Sequence, residues 1–409
     1  MKNFCKIGIV IVFCVIALWN NSQVFAAEEL SVNAKAAFMV EVNTGKVIYE
    51  NHAQEINYPA SVTKILTAIL VLENCELEEI ATVSSNALAN IPEGYVVAPL
   101  FVGEEMRVKD LLYALMLKSA NDAAYVLAEH VGGSIDGFSA MMNQKAEELG
   151  CMNSHFVNPN GIHQEDHYTT AYDMYLIAQY AMQNAQFVQI VSTYQYTLPA
   201  TNKYSEKDRV MENTNSFVNP ESKYYDTNVK GIKTGTTTQA GNCLIVDAEK
   251  NGFEIITVVL GAETKESKFL ETSKMMQYMF DNYTFTEIHK TGDMIQTIDV
   301  EKATKETKNL NIVISDDIVV MNHKDISVDE MQPEIVLKEN IIAPIVKGQE
   351  LGTIKYTVDG LEYEAKLLAG KNVEKKTYYA EITIGAGIVI LIVASCVIIA
   401  IIKKETATE

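Results

Sequence analysis

The chain has 409 residues and a formal net charge of −20 at neutral pH. So acidic a body repels nucleic acid and anionic lipid surfaces, which excludes a nucleic-acid partner. Its six cysteines are scattered without a CxxC pair, so a disulfide framework or a zinc ribbon has no support.

At the amino terminus, Lys2 and Lys6 precede an apolar run from Ile7 to Trp19, and Val24-Phe25-Ala26 sets small side chains before a cut after Ala26. This is the pattern of a secretory signal peptide over residues 1–26. Cys5 and Cys14 leave with it. Cys396 lies in a late apolar run, so Cys75, Cys151 and Cys243 remain. They allow one bridge at most, with buried free thiols the equal alternative.

After the leader, "AAFMVEVNTGKVIYENH" alternates apolar and polar residues around Asn43-Thr44-Gly45, which predicts a hairpin. Helical periods follow at 61–73, 108–117, 121–131, 138–149 and 171–184, with Gly150 as a helix-ending glycine. "NCLIVDAEKNGFEIITVVLGA" predicts two strands joined at Asn251-Gly252, and a helix at about 266–281 closes the unit. Strands from both ends with helices between them predict an α+β sandwich over 27–283, in which the first and last parts share one sheet.

From 284 to 371 the texture becomes short strands and turns, including Asp359-Gly360, which predicts a small all-β domain. Residues 372–381 are a polar linker. From Ile382 to Ile402 there is no charge, enough helix to cover about 30 Å, the thickness of a bilayer core. Lys403 and Lys404 follow at once, which predicts a transmembrane helix with residues 403–409 as a cytoplasmic tail. With the leader, this places the body outside the cell on a single C-terminal anchor.

Three short motifs carry the chemistry. In "PASVTKILTAI", Ser61 and Lys64 are three apart and so share a helix face, at the positive end of an apolar helix. A buried lysine loses proton affinity, more so beside a second cation, and a neutral amine could take the Ser61 proton. In "KSANDAA", Ser119 and Asn121 sit between two helical segments. They read either as a proton relay with a carbonyl-binding amide, or as an N-cap made by Asn121-Asp122. In "VKGIKTGTTTQAGNCL", Lys233 offers a cation, Thr234 a hydroxyl for a carboxylate, and Gly235 room for a substrate backbone. The alternative there is a surface edge strand with a protective lysine.

Each motif alone recurs by chance; the ordered set Ser-x-x-Lys, Ser-x-Asn, Lys-Thr-Gly does not. It resembles the active-site serine penicillin-recognising enzymes. With "FVNPNGIHQEDHYTTAYDM", residues 34–283 resemble the low-molecular-mass D-alanyl-D-alanine carboxypeptidases. The β-domain and the C-terminal anchor resemble that family more loosely. The resemblance implies a serine β-lactamase/transpeptidase-like sandwich and a hydrolase that removes the terminal D-alanine from a peptidoglycan stem pentapeptide through an acyl-enzyme. β-Lactam antibiotics would acylate the same serine. It implies Ser61 as nucleophile, Lys64 as general base and Ser119 as proton relay. Asn121, Lys233 and Thr234 would bind substrate, and the Ser61 and Thr236 N–H groups would form the oxyanion hole. No cofactor and no metal are implied. Lys268 stands where relatives often carry an arginine, and a lysine offers a point charge in place of a two-pronged grip.

Other readings are weaker. His163-Gln-Glu-Asp-His167 lacks the metalloprotease spacing, and Gly161 before it argues for a loop. A class A-like β-lactamase would need a Glu-x-x-x-Asn element between the second and third motifs, and none is convincing. An inactive penicillin-binding scaffold or sensor does not explain the intact motif set, and only "KKETATE" follows the apolar run.

Overall fold

In the computed structural model, residues 30–89, 91–377 and 379–405 are described. The leader over 1–26 lies outside them, as do residues 406–409 of the tail. The chain forms two compact units, Met1–Asp281 and Asn282–Glu409.

The first unit opens with β1 (Ala36–Glu41) and β2 (Lys46–Asn51), paired around Asn43-Thr44-Gly45 with Glu41 opposite Lys46. Helices α1 (Lys64–Asn74), α2 (Asn121–Gly132), α3 (Ile135–Glu148) and α4 (Ala171–Met182) follow. Then come β3 (Val229–Thr237), β4 (Gly241–Lys250), β5 (Phe253–Ala262) and α5 (Ser267–Asn282). The antiparallel sheet has the order β2-β1-β5-β4-β3, so the first strands pair with the last as the sequence predicts. The β4–β5 hairpin turns at Asn251 (φ 55°) and Gly252 (φ 85°), the two left-handed residues that a tight two-residue hairpin needs.

Strand alternation sends Ala36, Phe38 and Val40 into the main core, while Ala37 and Met39 point to the opposite face and are also buried. Helix α1 runs through the middle, buried from Lys64 to Val71, and packs on α2 and α4. Burying that length of Ile, Leu and Val is what fixes the helix in place. The predicted helix at 108–117 is α-helical over Val108–Tyr113 and widens into a π turn over Ala114–Lys118. It ends at Ser119, whose φ of 65° is left-handed. Gly150, at φ 82°, follows the end of α3.

The second unit contains β6 (Tyr283–His289), β7 (Met294–Asp299), β8 (Asn309–Ile314), β9 (Ile318–His323), β10 (Glu334–Leu337), β11 (Glu350–Val358) and β12 (Leu361–Ala369). One sheet has the order β7-β8-β12-β11-β10, and β6 pairs with β9. Leu310, Ile312, Ile354 and Leu367 form its core. Asp359 (φ 50°) and Gly360 (φ 81°) turn β11 into β12. The β structure runs past residue 371 into the expected linker: Val373 bridges to Ile345 and is buried, and Lys375 bridges to Ala303. A helix, α6 (Tyr379–Glu405), follows. Its stretch Thr383–Lys403, 21 residues, is long and apolar enough to cross a membrane, and side chains such as Ile390 and Leu391 are exposed.

Candidate active site

Ser61 sits in a 3-10 turn, Ala60–Thr63, that leads directly into α1. Ala60 before it takes φ 49°, an uncommon conformation for a residue with a side chain. Lys64, the first residue of α1, is 0% exposed. Its Nζ lies 2.9 Å from Ser61 Oγ, 3.0 Å from Asn121 Oδ1 and 2.8 Å from the Asn160 carbonyl. Burial holds Lys64 well below the usual lysine range; the charge of Lys233 adds to this, and Asp122 opposes it. A neutral amine has two N–H groups and one lone pair. Asn121 Oδ1 and Asn160 O take the two donors, which leaves the lone pair for the Ser61 hydroxyl.

The N-cap reading of Asn121-Asp122 gives way to a different arrangement. Ala120 is the cap residue, and Asn121 is the first helical residue with its amide turned inward. Its Nδ2 donates to Val96 O at 2.9 Å. The buried Asp122 carboxylate accepts from the backbone N–H groups of Ala98, Leu100 and Ala123. Asp122 thus pins the segment that carries Tyr95 and Val96. Ser119 stands at the rim between the π turn and α2. A cleft of about 520 Å³ opens over Ser61, lined also by Tyr95, Ser119, Asn121, Ile162 and Thr236.

Strand β3 forms the opposite wall at the sheet edge. Lys233 is 1% exposed, so it is not a protective surface lysine. Its Nζ donates to Thr234 O at 3.0 Å, and burial, helped by Lys268, pushes its pKa down to about 7. The Thr234 hydroxyl lies 2.6 Å from that of Thr214. Gly235 makes room, but for the nucleophile turn itself rather than for a substrate: a Cβ there would lie 2.9 Å from Ser61 N and 3.1 Å from Val62 N. The Thr236 hydroxyl lies 2.7 Å from Gly235 O and 3.1 Å from Asn242 Oδ1. Lys268, in the first turn of α5, is buried behind this wall, where desolvation pushes its pKa down to about 8.

The stretch after α3 supplies the floor. Gly161 is left-handed at φ 80°, and a Cβ there would fall 1.8 Å from Ala60 O, so only glycine fits. Asn158 Oδ1 accepts from Gly161 N at 2.7 Å, and Thr67 Oγ1 donates to Pro159 O at 2.6 Å. These bonds deliver the Asn160 carbonyl to Lys64. His167 Nε2 lies 2.9 Å from Thr63 Oγ1, and its Nδ1 accepts from Val157 N. Burial pushes its pKa down to about 3, so it is a neutral brace under the nucleophile turn. His163 packs edge-on against Tyr58. The described cysteines Cys75, Cys151, Cys243 and Cys396 are all free thiols.

A half-buried serine set against a fully buried lysine, an amide, and a lysine-bearing edge strand around one cleft define a serine hydrolase of the low-molecular-mass penicillin-binding class. The chain belongs to the D-alanyl-D-alanine carboxypeptidase family: the model of that family matches residues 23–264, and the model of the penicillin-binding protein 5 C-terminal domain matches 283–375. It is 33% identical to D-alanyl-D-alanine carboxypeptidase DacF of Bacillus subtilis over 350 residues, 85% of this chain and 87% of that one. It is 28% identical to DacC of Escherichia coli, covering 88% and 90%. Among solved structures, penicillin binding protein 5 from Haemophilus influenzae is similar at TM-score 0.62 and 26% identity, covering 84% of this chain and 98% of that one. The Streptomyces K15 DD-transpeptidase is similar at TM-score 0.57 and 31% identity, covering 61% and 98%. The protein is therefore a serine peptidase of this family, with a C-terminal helix suited to membrane anchoring.

Proposed function

We propose that the protein removes the terminal D-alanine from peptidoglycan stem pentapeptides and is acylated at Ser61 by β-lactam antibiotics. The observation that carries this reading is the 2.9 Å contact between Ser61 Oγ and the fully buried Lys64 Nζ. Lys64 takes the hydroxyl proton as Ser61 Oγ attacks the carbonyl carbon of the penultimate D-alanine. The N–H groups of Ser61 and Thr236 stabilise the developing oxyanion. As the C–N bond breaks, the proton passes from Lys64 by way of Ser119 to the leaving amine. Water then hydrolyses the ester, with Lys64 as base again. Asn121 holds the substrate amide, and the leaving carboxylate lies toward Lys233 and the Thr234 hydroxyl, with Lys268 adding charge from behind.

The catalytic unit would work on the extracytoplasmic face, tethered by α6. The apolar leader and the lysines that close the span, Lys403 and Lys404, support that orientation.

The test incubates the purified full-length protein in detergent with labelled penicillin and with a D-Ala-D-Ala peptide. The expected result is stoichiometric label on Ser61 and released D-alanine, both lost in Ser61→Ala. No label and no D-alanine would overturn the proposal, and rapid turnover of penicillin would replace it with a β-lactamase.

A further inference from the structure

The ends of α1 and α2 remote from the cleft carry a cluster that the hydrolytic site does not use. Cys75 closes α1, its N–H bonded to Val71 O at 3.0 Å. Glu79 ends the next turn. Its N–H bonds to Glu76 O at 3.1 Å, and its carbonyl accepts from Val108 N at 2.8 Å. His130 lies in the last turn of α2. The Cys75 sulfur, a Glu79 carboxylate oxygen and a His130 ring nitrogen all lie within 4.8 Å of one another. Three kinds of donor thus converge from two backbone segments, the turn over 75–79 and the last turn of α2, both held by backbone hydrogen bonds.

The plainer explanation is a surface ion pair. His130 Nε2 does lie 2.8 Å from Glu79 Oε1, both partly open to solvent. That pair accounts for two of the three groups and leaves the sulfur without a role. We propose that Cys75, Glu79 and His130 bind a zinc ion or a similar divalent transition metal, with water as the fourth ligand. Thiolate, imidazole and carboxylate together suit zinc, whereas calcium and magnesium call for oxygen ligands alone. Ligand atoms around a tetrahedral zinc sit roughly 3.5 Å apart, so small side-chain rotations close the site. On binding, the thiol proton passes to solvent and the histidine binds neutral. In the same "ENCELEE" stretch Glu76 adds negative potential that draws a cation in, while Glu73 and Glu78 are paired with Lys145 and Arg107.

The placement gives the ion its effect. Helix α1 begins at Lys64 and α2 begins at Asn121, so a metal joining their far ends clamps the two elements whose near ends build the cleft. With 11 residues in α1, the clamp lies about 16 Å from the chemistry. It is a brace and not a catalytic centre.

The experiment titrates reduced, metal-free full-length protein in detergent with cobalt(II) and then zinc. One equivalent of cobalt is expected to give a thiolate-to-cobalt charge-transfer band that zinc bleaches, and zinc is expected to shield Cys75 from alkylation. Cys75→Ser should abolish the band. Glu79→Gln and His130→Gln should weaken zinc binding by on the order of a hundredfold, since even outer-sphere partners are worth 10–100-fold. All three variants should keep metal-free penicillin acylation, which shows that they fold. No band at one equivalent, or a band that persists in Cys75→Ser, would overturn the site.

Discussion

Two lysines three residues apart on β3 have opposite surroundings. Lys230 is partly open to solvent and lies 2.8 Å from Glu249, 2.9 Å from Glu254 and 3.9 Å from Asp247. These carboxylates outweigh its partial burial and raise its pKa above the ordinary lysine range. Lys233 is buried, and among the described residues no carboxylate reaches it; its pKa falls to about 7. The residue type and the strand are the same, so the difference lies in partners and water. A protein with 53 acidic residues has kept them away from Lys233, while the one carboxylate felt by Lys64, that of Asp122, is tied up by backbone N–H groups. In the proposed mechanism this arrangement would gain a base and a carboxylate receptor, at a cost in stability, because unpaired buried charge is costly.

The largest test of that contrast falls on Lys64, the other buried lysine of the cleft. Lys64→Met removes the acceptor for the Ser61 proton while filling most of its volume. Acylation by labelled penicillin should slow by roughly 10³-fold, within the range for loss of a general base. A variant that acylates at the normal rate would show that burial of Lys64 serves packing alone.

Next is Lys233→Met, with an expected loss of about 10²-fold in kcat/KM on a carboxylate-bearing peptide, as for removal of one strong ionic contact. The same change should raise the melting temperature. A drop from 10.5 to about 7 corresponds, at about 1.4 kcal/mol per unit, to a charging cost of roughly 5 kcal/mol as an upper bound. The pH dependence follows in sign. In the unfolded chain Lys233 stays protonated up to its ordinary pKa, so between about pH 7 and 10.5 the unfolded state binds more protons and stability rises with pH. Activity runs the other way, because above about pH 7 the receptor loses its charge. Measured kcat/KM and denaturation midpoints should therefore diverge above neutrality in the wild type and diverge less in Lys233→Met, where only Lys64 and Lys268 still add stability as pH rises. An equal divergence in both proteins would show that Lys233 is not the receptor.

Gly235→Ala probes the wall between the two lysines. The added methyl meets backbone nitrogens of the nucleophile turn, which cannot swing aside as a side chain could. A stability loss of about 1–3 kcal/mol is expected from overpacking. Acylation should fall by on the order of tenfold as Ser61 shifts. Thermal melting and penicillin labelling check the two parts.

A residue is visible in the sequence when its role needs its own side chain or its own backbone conformation, and hidden when a distant segment defines the role. The two-residue turns at Asn251-Gly252 and Asp359-Gly360 were legible because their left-handed backbone demands those residue types. The Ser-x-x-Lys pair was legible because helical spacing alone puts Ser61 beside Lys64. Asn160 was not, since it acts through a backbone carbonyl, a group every residue has; only the glycine after it, packed against Ala60, hinted at a close approach. Asp122 read as a helix cap because its true partners, Ala98 and Leu100, are more than twenty residues upstream. Gly235 signalled closeness correctly but not to what, because the sequence does not record which backbone lies across the sheet edge. Thr214 carried no signal until the chain brought its hydroxyl to Thr234.

The smallest effect belongs to the paired end of β3. Lys230→Met deletes the charge shared by Glu249, Glu254 and Asp247. Glu249 is exposed and simply gains water, so its contribution is near zero. Asp247 is 0% exposed, its carboxylate oxygens have no hydrogen-bond partner among the described residues, and burial already pushes its pKa up to about 7. Without Lys230 it rises further. Because the folded pKa lies above the unfolded one, the folded state binds the extra proton, and stability falls as pH rises from about 4 through 7. The variant extends that fall to higher pH. The expected cost is therefore small near pH 5, where Asp247 is protonated in either protein, and about 1 kcal/mol near pH 8. Urea denaturation at the two pH values checks this, and penicillin labelling should match the wild type. A labelling defect as large as that of Lys233→Met would mean that the two ends of the strand are not electrostatically independent, and that the carboxylates around Lys230 help set the charge of the cleft.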